Sequence, residues 1–134
     1  MKKIGTLNTH LSRIIAGMGH TDRLVICDSG LPIPRGKEVV DLALRPGLPG
    51  FLDTLDVVLE ELQVERAIFA DELEQRGNGV YPGLRERLEG LETERVPHER
   101  FKQLCCEDGV AAFVRTGEAT PYANVILCSG VTFG

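Results

Sequence analysis

The sequence predicts an α/β fold: a single compact domain over residues 1–134, with a mostly parallel sheet and helices on both faces. Three observations carry this. Short apolar runs of strand length alternate with stretches of helical period along the whole chain, the pattern of a sheet built by crossover connections. The run Leu24–Cys27 is continuous rather than alternating, as in a strand buried on both faces. At 134 residues with 43% apolar side chains, the chain suits one core and has enough apolar surface to fill it.

The elements follow in order. Leu11, Ile14, Ile15 and Met18 stand at helical spacing over 8–18, with Asn8 or Thr9 as the cap and Gly19 placed to end the helix in a left-handed conformation. Leu24–Cys27 is a short buried strand closing on Asp28-Ser29-Gly30. Gly30–Pro34 is a rigid loop, because each proline fixes its own φ and restricts its predecessor. Val39–Leu44 alternates as a strand, and 45–50 is rich in turn residues. Residues 51–62 carry Leu52, Leu55, Val58, Leu59 and Leu62 on one helical face and acidic residues opposite. Val64–Ala70 reads as a strand, 77–79 as a loop, and 82–89 as a helix on the Leu84/Leu88 pair. Glu94–Pro97 is a short strand and Glu99–Cys106 a helix. Val110–Arg115 and Asn124–Cys128 are the last two strands.

Composition narrows the function classes. The net charge is −5, with no Lys/Arg cluster to track a phosphate backbone, so nucleic acid is not an expected partner. No apolar run reaches the roughly 18–20 residues of a membrane span, and no signal-peptide core follows Met1; a cytoplasmic protein is expected. The four cysteines lack C-x-x-C spacing and a nearby histidine, which disfavours a metal site. Cys27 and Cys128 sit in apolar runs and read as buried thiols, and Cys105-Cys106 as a helix end with one thiol in and one out. The phosphate-loop, dinucleotide, serine-hydrolase and zinc-protease motifs are all missing. With five Phe, two Tyr and no Trp, the core must be aliphatic, and a tyrosine in a polar segment draws attention.

Chemistry at neutral pH favours histidine, and the chain has three. His10 lies in the first helical turn, an ordinary surface position. His20 follows a helix end and precedes the strand whose far end is Asp28, where ligands of open α/β sheets gather. Either His20 and Asp28 form an acid–base pair or His20 is satisfied locally at the helix terminus. His98, after Pro97, is a helix cap or a site residue. The segment Arg115–Asn124 is dense in hydrogen-bonding groups and stiffened by Pro121; Tyr122 and Asn124 suit a neutral, hydroxyl-rich ligand, or the segment is a tight turn.

These residues together resemble a known family. Gly5-x-Leu7-Asn8, Met18-Gly19-His20-Thr21-Asp22, Asp28–Pro34, Leu44-Arg45-Pro46-Gly47-Leu48-Pro49, Arg115–Glu118, Pro121-Tyr122-Ala123-Asn124 and Gly130-Val131-x-Phe133 look like the D-ribose pyranase family. Its sister, fucose mutarotase, shares the Met-Gly-His and Tyr-x-Asn elements but typically has His-Phe-Pro after the aspartate and Lys-Tyr-Gly-Asn near the end. Gly30-Leu31-Pro32 and Pro121–Asn124 side with ribose. The resemblance implies a ribose-pyranase-like fold and a cytoplasmic isomerase that interconverts pyranose and furanose D-ribose ahead of its phosphorylation and catabolism. It implies no metal or organic cofactor and a homodecamer of two pentameric rings. It also implies His20 as proton donor, Asp28, His98, Tyr122, Ala123 and Asn124 as sugar contacts, and Lys102 nearby. Residues 72–95 carry no motif of that family, and Ser29 replaces a common alanine. A non-catalytic sugar-binding accessory of ribose uptake and a fucose-type mutarotase are the alternatives.

Overall fold

Asn8 starts the first helix. Its side chain accepts the Leu11 N–H at 2.8 Å, satisfying one of the donors a helix start leaves free. The computed structural model, which describes residues 1–134, runs α1 (Thr9–Gly17), β1 (Arg23–Cys27), β2 (Val39–Asp41), α2 (Phe51–Glu61), β3 (Val64–Ala70), α3 (Leu73–Arg76), α4 (Val80–Arg87), β4 (Glu92–Val96), α5 (His98–Cys105), β5 (Val110–Arg115) and β6 (Val125–Ser129). The six strands form one sheet in the order β2-β5-β1-β6-β3-β4. β1 pairs in parallel with β5, β5 with β2, and β3 with β4, while β6 is antiparallel to both its neighbours, β1 and β3. The first five strands therefore share one direction and β6 alone reverses. Residues 116–124 contain no helix to carry the chain back to the starting end of the sheet, and parallel pairing needs such a crossover.

Helices cover both faces unequally. Leu24 and Ile26 of β1, Val125 and Leu127 of β6 and Ala67 and Phe69 of β3 face a cluster built with α1, α2, α3 and α4. Val25, Cys27, Ile126, Cys128 and Ile68 face the opposite side, where α5 supplies Phe101, Leu104 and Cys105 and the loop after β1 supplies Leu31. Alternate residues of the same strands are buried on opposite sides, which is why these runs are apolar without interruption.

Several boundaries differ from expectation, each for a local reason. The first helix ends at an extended Met18; the left-handed residue is Thr21 (φ 73°), not Gly19. β2 stops at Asp41, short of Leu44, because the Asp41 carboxylate accepts the Ala43 N–H at 3.1 Å and turns the chain. α3 is a single turn, too short for a period to register. α4 starts two residues before the expected 82, since Pro82 sits in its first turn, where a missing N–H costs nothing. β4 spans 92–96 and is an edge strand. Its exposed Glu92, Glu94 and Arg95 hide the strand from a reading based on apolar runs and protect the open edge.

The Arg115–Glu118 segment stitches loops together at the carboxyl ends of the parallel strands. The Thr116 hydroxyl donates to the Cys27 carbonyl at 2.7 Å, and the Ser29 N–H donates to the Glu118 carbonyl at 3.0 Å. A side chain at Gly117 would strike the carbonyl oxygens of Leu48 and Arg45, at 2.4 and 2.5 Å from its Cβ. Gly50, at the start of α2, offers no capping side chain, and Glu118 replaces it by accepting the Phe51 N–H at 2.9 Å. Burial acts to raise the Glu118 carboxyl, but the N–H groups of Phe51, Thr120 and Ala119 and the Thr120 side-chain bond outweigh it and hold the group below its ordinary value of 4.5. With the folded value below the unfolded one, the contribution to stability is complete above that ordinary value and is lost as pH falls through the folded one. Glu118→Gln is expected to cost about 1 kcal/mol near neutral pH, kept modest by partial solvent screening. Urea unfolding at a series of pH values checks this: the gap between variant and parent narrows in acid.

Candidate functional site

Asp28 follows β1, and Asn124 precedes β6, the antiparallel neighbour of β1, so both lie at the same end of the sheet. Asn124 is fully buried. Its side-chain oxygen accepts the Asp28 N–H at 2.8 Å, and its amide nitrogen donates to the Asp28 carboxylate at 3.3 Å. The Gly30 N–H holds the other carboxylate oxygen at 2.9 Å. Burial pushes the Asp28 carboxyl above its ordinary value, opposed by the Gly30 and Leu31 N–H groups, the Asn124 amide and the nearby His98. The result is a fixed, partly desolvated acceptor at the carboxyl end of a parallel strand, where ligand crevices of open α/β sheets form.

Beside it lies a cleft of about 250 Å³, walled by Asp28, Gly30, Leu31, Pro32, His98, Pro121 and Tyr122. His98 opens α5, and its N–H is held by both oxygens of the Glu72 carboxylate at 3.0 and 3.2 Å. Pro97, the residue before the helix, has no side-chain acceptor to do this. The His98 ring stacks on Phe101 and meets the Tyr122 ring edge-on, with centroids 4.9 Å apart at 83°. Its Nδ1 is the one buried side-chain nitrogen or oxygen without a hydrogen-bond partner. Such an atom costs about 1–3 kcal/mol unless something bonds to it, and in a cleft wall it marks where a polar ligand fits. Tyr122 is held at φ 63°, a conformation unfavourable for a bulky side chain and concentrated at functional sites.

The structure thus brings Asp28, His98 and Tyr122 together. Asn124 packs behind them, and its side chain grips Asp28. The Ala123 side chain is buried in the core, so only its main chain remains for a ligand. Lys102, one turn beyond His98, pairs with Glu99 at 2.9 Å and does not line the cleft. His10 lies apart, bonded to Glu38 at 2.7 Å. Cys27, Cys105 and Cys128 are buried and Cys106 exposed; desolvation first of all pushes the Cys27 and Cys105 thiols up to about 12. No group of three or more His, Cys, Asp or Glu side chains is placed to hold a metal ion.

His20 lies elsewhere. It precedes β1 while Asp28 follows it, so a five-residue extended strand, about 3.3 Å per residue, separates them. The expected His20–Asp28 pair does not exist within one chain. The ring's partner is Glu65, with Nε2 and Oε2 3.1 Å apart. His20 borders a second cleft of about 450 Å³, lined by Met18, Gln63 and the C-terminal residues Ser129–Phe133 among others. Glu65 and Glu72, the carboxylates that hold the two histidines, carried no signal in the sequence. One lies inside a strand run and the other in the unmatched stretch, and each meets its histidine only through the fold.

Known proteins resemble the chain throughout. The model of the RbsD / FucU transport protein family matches residues 1–132. The D-ribose pyranase of Laribacter hongkongensis is 57% identical over 133 residues, covering 99% of this chain and 100% of that one; that of Symbiobacterium thermophilum is 53% identical with the same coverage. The structure of Bacillus subtilis RbsD complexed with D-ribose superimposes with a TM-score of 0.94 at 47% identity, covering 99% of this chain and 100% of that one. The fucose mutarotase of Streptococcus pneumoniae in complex with L-fucose shares the fold, with a TM-score of 0.81 at 22% identity, covering 99% of this chain and 100% of that one.

Proposed function

We propose that this chain, which belongs to the RbsD / FucU transport protein family, is a D-ribose pyranase: an isomerase that interconverts the pyranose and furanose forms of D-ribose and so supplies its phosphorylation and catabolism. The observation that carries the reading is the cleft that joins the fixed Asp28 carboxylate, the partnerless Nδ1 of His98 and the strained Tyr122. Its likeness to a protein that binds D-ribose with nearly the same fold supports it.

The chemistry is two proton transfers. A proton delivered to the ring oxygen and one removed from the anomeric hydroxyl open the cyclic hemiacetal. Attack by a different hydroxyl on the aldehyde reverses both transfers and closes the other ring. No electrons change hands and no group leaves, so positioned side chains suffice. Imidazole, whose ordinary titration range straddles neutral pH, suits both directions. His20 serves as the acid, Asp28 and His98 grip sugar hydroxyls, and Tyr122 offers its ring face and phenol. Asn124 and the main chain of Ala123 are further sugar contacts, Asn124 also keeping the Asp28 carboxylate in place, and Lys102 stands one turn beyond His98 on α5.

His20 and Asp28 sit at opposite ends of β1, so the complete site takes His20 from a neighbouring copy in a cytoplasmic ring assembly, a decamer of two pentamers. Apolar side chains support assembly: Ile4, Leu7, Leu44 and Phe133 are each more than 70% exposed, and Phe133 borders the His20 cleft. No helix is long and apolar enough to cross a membrane.

Saturation-transfer NMR on ribose and fucose, side by side, tests the activity. Ribose exchange accelerated well above its uncatalysed rate is the expected result. Ribose binding with exchange at the uncatalysed rate would instead identify a sugar-binding accessory, and selective acceleration of fucose a fucose mutarotase.

A further inference from the structure

Two backbone irregularities, far apart in sequence, converge on His20. The first is the turn that carries it. Thr21 adopts φ 73°, an outlier for a β-branched residue, and is pinned there by its N–H bond to the Ser129 carbonyl at 2.9 Å. The Asp22 carboxylate accepts the Gly19 N–H at 2.8 Å and closes the turn from the other side. The second is in β3. Val64 pairs with Ser129 and Arg66 with Cys128, leaving Glu65 as the extra residue of a bulge. Bulges redirect a side chain that regular pairing would aim elsewhere. Gly130 lies against the bulge: a Cβ there would stand 3.1 Å from that of Glu65. The outcome is the 3.1 Å contact between Glu65 Oε2 and His20 Nε2. Two other carboxylates are near the turn, but Asp22 is engaged by the Gly19 N–H and Glu61 of α2 pairs with Lys2. Glu65 alone bonds to the ring.

We propose that Glu65 is a positioning residue for the proton transfer: it accepts a hydrogen bond from His20 Nε2–H, fixes the ring and its tautomer, and leaves Nδ1 as the nitrogen that exchanges the proton with the sugar. The proposal rests on His20 being the acid. In the opening step the Nδ1 proton passes to the ring oxygen as its bond to the anomeric carbon breaks, the anomeric hydroxyl gives its proton to water, and the imidazole left behind is neutral with its remaining hydrogen on Nε2, still bound by Glu65. On closure the attacking hydroxyl bonds to the aldehyde carbon and gives its proton to Nδ1, while the aldehyde oxygen takes one from water. A carboxylate behind a working histidine stabilises its charged form and orients it, an effect typically worth 10- to 100-fold in related settings.

The test compares Glu65→Ala and Glu65→Gln in the assembled protein, reading ribose exchange by saturation transfer, ribose affinity by titration and the His20 tautomer by long-range ¹H–¹⁵N spectra. Glu65→Ala is expected to lower the exchange rate about 10- to 100-fold, leave ribose affinity unchanged and convert the single Nε2–H pattern into a mixture. Glu65→Gln, which keeps an acceptor oxygen without the charge, is expected to keep the pattern and recover part of the rate. Added to His20→Ala, Glu65→Ala is expected to cause no further loss. Wild-type exchange in both Glu65 variants, alongside an inactive His20→Ala, overturns the positioning role while leaving the function standing. Full exchange in His20→Ala overturns the function reading beneath it. Should the alanine variant fail to assemble, the isosteric glutamine variant decides by its rate alone.

Discussion

His20→Ala is expected to remove catalysed pyranose–furanose exchange, a loss of roughly 10²- to 10⁴-fold, the usual contribution of a positioned acid–base group, while the fold stays intact. The two halves of this expectation have separate causes. The ring is half exposed and makes one hydrogen bond, to an equally exposed Glu65, so its removal opens no cavity, and stability should change by no more than about 0.5 kcal/mol. The turn beneath it is held by main-chain and Asp22 bonds that do not involve the imidazole. Thermal unfolding and saturation-transfer NMR on the same sample separate the effects. Unchanged exchange in a folded variant would remove His20 from the mechanism.

The second large effect comes from mixing variants. Asp28→Asn keeps the side-chain shape but loses the charged acceptor at the sugar cleft, and alone it is expected to be nearly inactive, as is His20→Ala. If a working site draws Asp28 from one copy and His20 from its neighbour, the two defects complement each other. In an equal, randomly assembled mixture about one site in four receives both intact residues from the two contributing subunits, so roughly a quarter of wild-type activity should return. Refolding the two variants together and assaying exchange measures it. Activity no higher than that of the separate variants would mean that each site uses its own chain's residues, which would require β1 to rearrange, because its length keeps the two residues apart in the folded subunit.

The same strand shows where local sequence ceases to inform. Leu24–Cys27 is legible as a buried strand because both sides of it are apolar, and Asp28 is legible as a ligand-facing residue because it ends that strand. His20 is equally prominent, yet its partner is not Asp28: eight positions along the chain become opposite ends of a strand once the backbone is extended. Asn124 is legible as a hydrogen-bonding residue from its type, but that its amide holds a carboxylate 96 positions away is not. Glu118 sat in a motif that resembled a ligand-binding segment and proves to cap a helix 67 positions away.

The sequence by itself determined the α/β class, most strands and helices, the two-sided burial of the central strands and the presence of one tyrosine in a polar, proline-stiffened segment. These are carried by spacing along the chain, by periods of two and 3.6 residues and by turn-forming types, all of which act between near neighbours. Only the tertiary structure decided that β6 runs against the other five strands. That reversal puts Tyr122–Asn124 beside Asp28 and leaves the C-terminal Ser129–Phe133 beside His20. It also decided that two unmarked glutamates, Glu65 and Glu72, hold the two histidines. No local period encodes such pairings; they arise when distant segments pack and each buried or half-buried polar group must find its partner.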